Sequence, residues 1–170
     1  DFVKLDQWFP GAAFLLNVRE HRRWLHSRVK HVMRYGLPET PQAVQLDGRF
    51  GTMAIEFFSD PTATMQKWLL EREVYHQRAR LYFADRSDFR ELDVTRDSDW
   101  TEKLHQFLLD NDFKTCTSLS GTTPHINARE LAFSSGEETT LKNFLRLADE
   151  ITDKYESTRH TDVYQKQAST

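Results

Sequence analysis

The 170-residue sequence contains one cysteine, Cys116, which excludes an internal disulfide framework and a multi-cysteine zinc site. Six glycines and five prolines are spread through the chain without a repeat or a low-complexity tract, so fibrous and solenoid architectures are excluded as well. Apolar residues nowhere form the run of about 18 that a membrane span needs. The opening DFVKLDQWFP lacks the basic-then-apolar pattern of a signal peptide, and every asparagine fails the Asn-x-Ser/Thr test for glycosylation. No membrane span and a cytoplasmic location are therefore expected. An excess of positive charge is also missing: 23 Lys and Arg against 26 Asp and Glu give −3, which excludes a uniformly basic nucleic-acid binder.

What is present is 38 % apolar residues, enough to bury a real core in about one domain. Residues 1–160 read as one α/β domain and 161–170 as a polar tail. Phe14–Val18 is a short, nearly all-apolar run after the turn dipeptide Pro10-Gly11, suited to a strand buried on both faces of a parallel sheet. A helix is expected over 20–35, where Trp24, Leu25, Val29, Val32 and Met33 recur at helical spacing, with Gly36 and Pro38 as the stop. Residues 37–59 read as a loop or excursion containing one short helix. Asp60-Pro61 opens a long helix reaching about residue 85, with an N-cap acceptor and proline at the first helical position. A second strand over 89–95, a short helix over 100–109 capped by Asp97 or Ser98, and a loop over 112–132 follow. A final helix over 137–160 carries Leu141, Phe144, Leu145, Ala148, Ile151 and Tyr155 on one stripe. The tryptophans 8, 24, 68 and 100 read as packing residues, although one could stack on adenine.

Charge is distributed unevenly. Between Arg19 and Arg34 six basic residues stand against Glu20 alone, a local +5 in a chain whose remainder sums to −8. The island starts where a strand feeds a helix, the place where α/β folds bind phosphorylated ligands. Arg19 sits at that junction. Arg23, Ser27 and His31, at i, i+4 and i+8, share one face of the helix, so a hydroxyl and cations can meet one phosphate there. The alternative is a solvated basic face.

The stretch FPGAAFLLNVREHRRWLHSRVKH (9–31) resembles the segment of 3′-phosphoadenosine 5′-phosphosulfate (PAPS)-dependent sulfotransferases in which a Pro-Gly turn precedes a strand ending in Arg, with Ser eight residues later. The stretch REVYHQRARLYFADRSDFRELDVTRDSDWTEKLHQFL (72–108) is similar to the family's helix ending Tyr-Phe-Ala, its next strand and its short Trp/Leu-rich helix. The segment PHINA (124–128) is similar to a Pro-His-x-Asn stretch near the end of many members. Together the matches span residues 7 to about 129. The resemblance implies a three-layer, parallel-sheet fold of the P-loop nucleoside-triphosphate-hydrolase type. It also implies transfer of a sulfuryl group to a hydroxyl or amine of a sugar, lipid or small metabolite, without a metal. Arg19 and Ser27 match the positions that hold the 3′-phosphate, and Arg23 is a further candidate beside them.

The family's Gly-containing phosphate loop with Lys and Ser/Thr has no counterpart among these six glycines. The chain therefore reads as the C-terminal portion of such a domain, lacking its N-terminal strand–loop–helix. An unpaired sheet edge would make isolated chains prone to association, so a homo-oligomer is among the expectations. The alternative function is a degenerate, non-catalytic module that binds a nucleotide or a partner protein. A nucleotide kinase fits less well, because it needs a Mg²⁺-binding carboxylate beside a Lys-Ser/Thr loop.

Other residues carry weaker signals. His21, His26 and His31 are offset by about 140° per step around a helix and cannot line up as metal ligands. His76, near Glu73 and Tyr75, could face an acceptor but reads better as a packing or surface histidine. His125 and Asn127 could touch nucleotide or shape a turn. Cys116 lies in the Ser/Thr-rich TCTSLSGTT with only Lys114 as a basic neighbour, a poor setting for a reactive thiol.

Overall fold

The computed structural model describes residues 1–35, 48–112 and 134–167. The protein is α/β and mostly helical, with a two-stranded parallel sheet among the described residues. Contacts divide it into two compact units, Asp1–Glu20 with Arg72–Arg129, and His21–Glu71 with Glu130–Thr170. No helix among the described residues is long and apolar enough to cross a membrane.

The first unit is built on the sheet. Helix α1 (Phe2–Trp8) starts at Asp1, whose carboxylate accepts from the Val3 N–H at 3.2 Å. After it, Gly11 has φ +82°, a left-handed conformation that glycine adopts without a Cβ penalty, and the chain turns into strand β1 (Phe14–Val18). Strand β2 (Phe89–Asp93) pairs with β1 in parallel, Phe14 opposite Phe89, Leu16 opposite Glu91 and Val18 opposite Asp93. Leu16 packs with Phe2 of α1 and with Ala79 and Phe83, beside Phe14, Val18 and Phe89. The expected burial of β1 on both faces is not found. Leu15, on the opposite face, is 40 % exposed and Asn17 is exposed, because side chains alternate across a strand and only the Leu16 side meets this aromatic cluster. On the Leu15 side it is β2 that is covered: Leu92 is buried, and the Arg90 guanidinium lies 5.8 Å from the Phe107 ring of α5 (Trp100–Asp110). The N-cap of α5 is Asp99 rather than Asp97 or Ser98. Lys103 draws the carboxylates of both Asp97 and Asp99 to 3.1 Å, which occupies them away from the helix N–H groups. Trp8 is no packing residue, being 67 % exposed.

An ionic network ties α1 to the sheet. Arg86 donates to both Asp88 oxygens at 2.7 Å and to Asp6 at 2.6 Å, and Tyr82 donates its hydroxyl to the other Asp6 oxygen at 2.8 Å. Hydrogen bonding from Arg86 holds the Asp6 and Asp88 carboxyls below the usual aspartate range. A carboxyl depressed in the folded state stabilises above its unfolded pKa, and that stability is lost as pH falls through the folded value. The difference in melting temperature between Arg86→Gln and the unaltered protein should thus be largest near neutrality and should shrink below about pH 4. Circular dichroism melts across pH 2–7 check this, and a pH-independent difference would show that packing over Phe14 and Phe83 is the whole contribution of Arg86.

The second unit is helical. Helix α2 (His21–Tyr35) buries Leu25, Val29, Val32 and Met33, the stripe its spacing predicts. These residues pack with Ala54 and Phe57 of α3 (Gly48–Ser59), with Met65, Trp68 and Leu69 of α4 (Pro61–Tyr82), and with Leu141, Ala148 and Ile151 of α6 (Ser135–Gln167). The one helix expected within 37–59 is α3; 36–47 lie outside the described residues. Helix α4 begins as the sequence predicts: Asp60 accepts from the Ala63 N–H at 3.0 Å, with Pro61 at the first helical position. Helix α6 starts two residues earlier than expected and continues through Gln167.

Candidate functional site

In the first unit, β1 and β2 end side by side, and their carboxyl ends hold a concentration of charge. Arg19, the residue after β1, is exposed, and its backbone carbonyl accepts a hydrogen bond from the Arg72 guanidinium of α4. Asp93, the last residue of β2, accepts from the Thr95 N–H at 2.9 Å, the Thr95 hydroxyl at 2.6 Å and the Arg96 N–H at 3.1 Å, closing the loop after the strand. Arg96 also approaches Glu20 at 3.9 Å. Behind this edge, residues 72–82 of α4 carry Arg72, His76 and Arg80 at i, i+4 and i+8, which places them in one row. Arg80 donates to both oxygens of Glu91 on β2, at 2.6 and 3.0 Å.

His76 is buried, 8 % exposed, and so is Glu73, which accepts from Gln77 at 3.4 Å. Burial first, and then the charges of Arg72 and Arg80, push the His76 imidazole below its ordinary value. A buried imidazole on α4 suits the packing reading of His76, the better of its two expected readings.

In the second unit, α2 divides the basic island between two faces. On one, Arg22 donates to Asp153 at 2.5 Å and lies 3.7 Å from Asp149, His26 donates to Asp149 at 2.7 Å, and His21 meets Glu156 at 3.4 Å. The carboxylates recur along α6 at positions 149, 153 and 156, so the two helices are joined by a ladder of polar contacts. Arg28 is turned inward, its guanidinium 5.2 Å from the Trp68 ring, and burial pushes its pKa below the ordinary arginine value. The other face carries the expected site residues: Arg23, Ser27 and His31 are all exposed, successive turns apart on α2. Of the island's six cations, Arg22 pairs with α6 and Arg28 lies against Trp68, whereas Arg19, Arg23 and Lys30 are exposed.

Arg19 belongs to the first unit, and Arg23 and Ser27 to the second. His125, Asn127 and Cys116 lie outside the described residues, within which no group of three or more His, Cys, Asp or Glu is placed to hold a metal ion. Arg72 is the residue that sequence reasoning passed over. Its signal was available: Arg72, His76 and Arg80 repeat the same four-residue spacing that drew attention to Arg23, Ser27 and His31. Comparison with protein-family models, curated proteins and solved structures returned no match.

Proposed function

We propose that this chain carries the nucleotide 3′-phosphate-binding part of a PAPS-dependent sulfotransferase domain of the P-loop type, with Arg19 and Ser27 as the residues that hold the phosphate and Arg23 as a further cation. The observation that supports this most is the succession of a parallel strand at Phe14–Val18, an exposed Arg19 at its carboxyl end, and a helix beginning at His21. That is the setting in which α/β folds hold phosphorylated ligands, and it is the order that the sequence resemblance requires.

The chemistry of the reading is sulfuryl transfer from the phosphosulfate to a hydroxyl or amine of a sugar, lipid or small metabolite. Such a transfer depends on cations at the leaving and bridging oxygens and a base at the acceptor. Arg19 and Ser27 sit on the 3′-phosphate in this reading, remote from the reacting sulfur. Their contribution is to place the nucleotide.

Calorimetric titration with 3′-phosphoadenosine 5′-phosphate, with 5′-AMP as the ligand lacking the 3′-phosphate, tests the proposal. A charge-assisted contact is worth about 1.5–3 kcal/mol, so Arg19→Ala should weaken the 3′-phosphorylated ligand by roughly 10- to 150-fold. Ser27→Ala should weaken it by about tenfold or less, as loss of a neutral hydrogen bond does. Affinity for 5′-AMP should stay the same in both variants. A 3′-phosphate preference that survives Arg19→Ala would remove the proposal. The second reading, a non-catalytic nucleotide-binding module, predicts the same binding without transfer to any acceptor.

A further inference from the structure

Arg72 comes to the end of β1 from a different element. The chain passes from β1 through α2 and α3 before α4 returns residue 72 to the strand end, where its guanidinium donates to the Arg19 carbonyl. That carbonyl belongs to the peptide unit that sets the direction of the Arg19 main chain as it leaves the sheet. The neighbouring charges are arranged around the contact: Glu73 follows on α4, Asp93 ends β2 beside Val18, and Arg80 lies two turns along the same helix, already held by Glu91. Asp93 is itself held by Thr95 and Arg96.

A half-buried guanidinium that holds the backbone of an exposed cation is a second layer of support for that cation. Groups that bind a ligand hold their geometry only when their own positions are locked by packing and by such supporting hydrogen bonds.

We infer that Arg72 is the positioning residue for Arg19, holding its main chain so that Arg19 can bind a phosphomonoester dianion at the carboxyl end of β1. The inference rests on the reading of Arg19 as a 3′-phosphate anchor. Arg72 works through the Arg19 main chain, so its removal displaces the anchor without removing it. Replacing Arg72 with Gln keeps a donor group but gives up the charge and the planar fork, whereas Lys keeps the charge and one donor.

The experiment is calorimetry on the full 170-residue chain with 3′-phosphoadenosine 5′-phosphate and with 5′-AMP, for the unaltered protein, Arg19→Ala, Arg72→Gln, Arg72→Lys and the double variant Arg19→Ala/Arg72→Gln. Melting temperatures serve as the check on folding. Arg72→Gln should weaken the 3′-phosphorylated ligand by about tenfold, as loss of a supporting partner behind a binding group does, with 5′-AMP unchanged. Arg72→Lys should recover part of the loss, and it carries the test if Arg72→Gln does not fold. In the double variant the Arg72 change should add nothing to the loss from Arg19→Ala, since a residue that acts only through Arg19 is silent without it. Full additivity would make Arg72 an independent contact and overturn the inference. So would an unaltered 3′-phosphate preference in folded Arg72→Gln and Arg72→Lys when Arg19→Ala has lost it, and in that case the reading of Arg19 stands. A preference that persists in Arg19→Ala, or an unaltered protein that binds neither ligand, removes the reading of Arg19 and the inference with it.

Discussion

Phe83→Ala should unfold the sheet-bearing unit at much lower denaturant concentration, at a cost of about 3–5 kcal/mol. Phe83, the residue after α4, is almost completely buried and is the ring on which every element of that unit's aromatic core converges. It stacks on Phe14 of β1 with centroids 4.7 Å apart and on Phe89 of β2 at 4.9 Å, and it meets Tyr82 edge-on at 4.8 Å and Phe2 of α1 at 5.7 Å. The Arg86 guanidinium caps it at 5.0 Å from the centroid. Alanine there removes the burial of a whole ring together with at least four oriented aromatic contacts, each worth about 0.5–1.5 kcal/mol beyond its area. The surrounding rings are anchored on two strands and two helices, so they cannot all collapse into the space, and the cavity term adds to the transfer term. Urea titration followed by near-ultraviolet circular dichroism, which reads ordered aromatic packing, measures the loss. A shift in midpoint corresponding to less than about 1 kcal/mol would mean that the cluster repacks and that Phe83 is not its centre.

The same core shows how far the sequence could be read. The bounds of β1 were legible to the residue, because an apolar run bracketed by Pro10-Gly11 and a basic junction leaves little choice of ends. The start of α4 was legible because Asp60 and Pro61 are stop and start signals that work locally. Helix α2 and helix α6 followed from their stripes, since burial at i, i+4 and i+7 needs no knowledge of the partner. What failed depended on partners distant in the chain. Leu15 and Leu16 are equivalent by composition, and only the placement of Phe2, Ala79 and Phe83 makes one buried and the other exposed. The seven-residue α1 is too short to hold by propensity; it is held by Asp1 at its start, by Phe2 in the core and by Asp6 in the Arg86 network.

The candidate site divides in the same way. Arg19 was legible from its place at the end of a strand, and the exposed face bearing Arg23 and Ser27 from helical spacing. The pairing of Arg22 and His26 with α6 was not, because Asp149 and Asp153 lie more than a hundred residues away and nothing local distinguishes a cation that meets a carboxylate from one that meets water. Local charge arithmetic therefore did not separate the cations paired with α6 from those on the exposed face, and it missed Arg72, whose guanidinium donates to the Arg19 main-chain carbonyl.

In the helical unit the corresponding ring is Phe57, and Phe57→Ala should cost a similar 3–5 kcal/mol. Phe57 is fully buried on α3, stacked on Trp68 of α4 at 5.5 Å with the planes 5° apart, and edge-on to Phe144 of α6 at 4.9 Å. It thereby joins three helices that pack with α2 around one core. The Arg28 guanidinium also lies against the Trp68 ring, 5.2 Å from its centroid. Loss of Phe57 withdraws the apolar wall behind Trp68, which lets water reach an indole that is otherwise buried. The tryptophan emission of Phe57→Ala should accordingly shift to longer wavelength in the native state, and its urea midpoint should fall. Phe57→Leu, which refills most of the volume, should recover most of the stability but not the ring-on-ring contacts, leaving a residual deficit of about 1 kcal/mol. If Phe57→Leu is as unstable as Phe57→Ala, stability in this unit rests on aromatic geometry more than on buried volume; if both match the unaltered protein, Phe57 is not the joint between α3, α4 and α6.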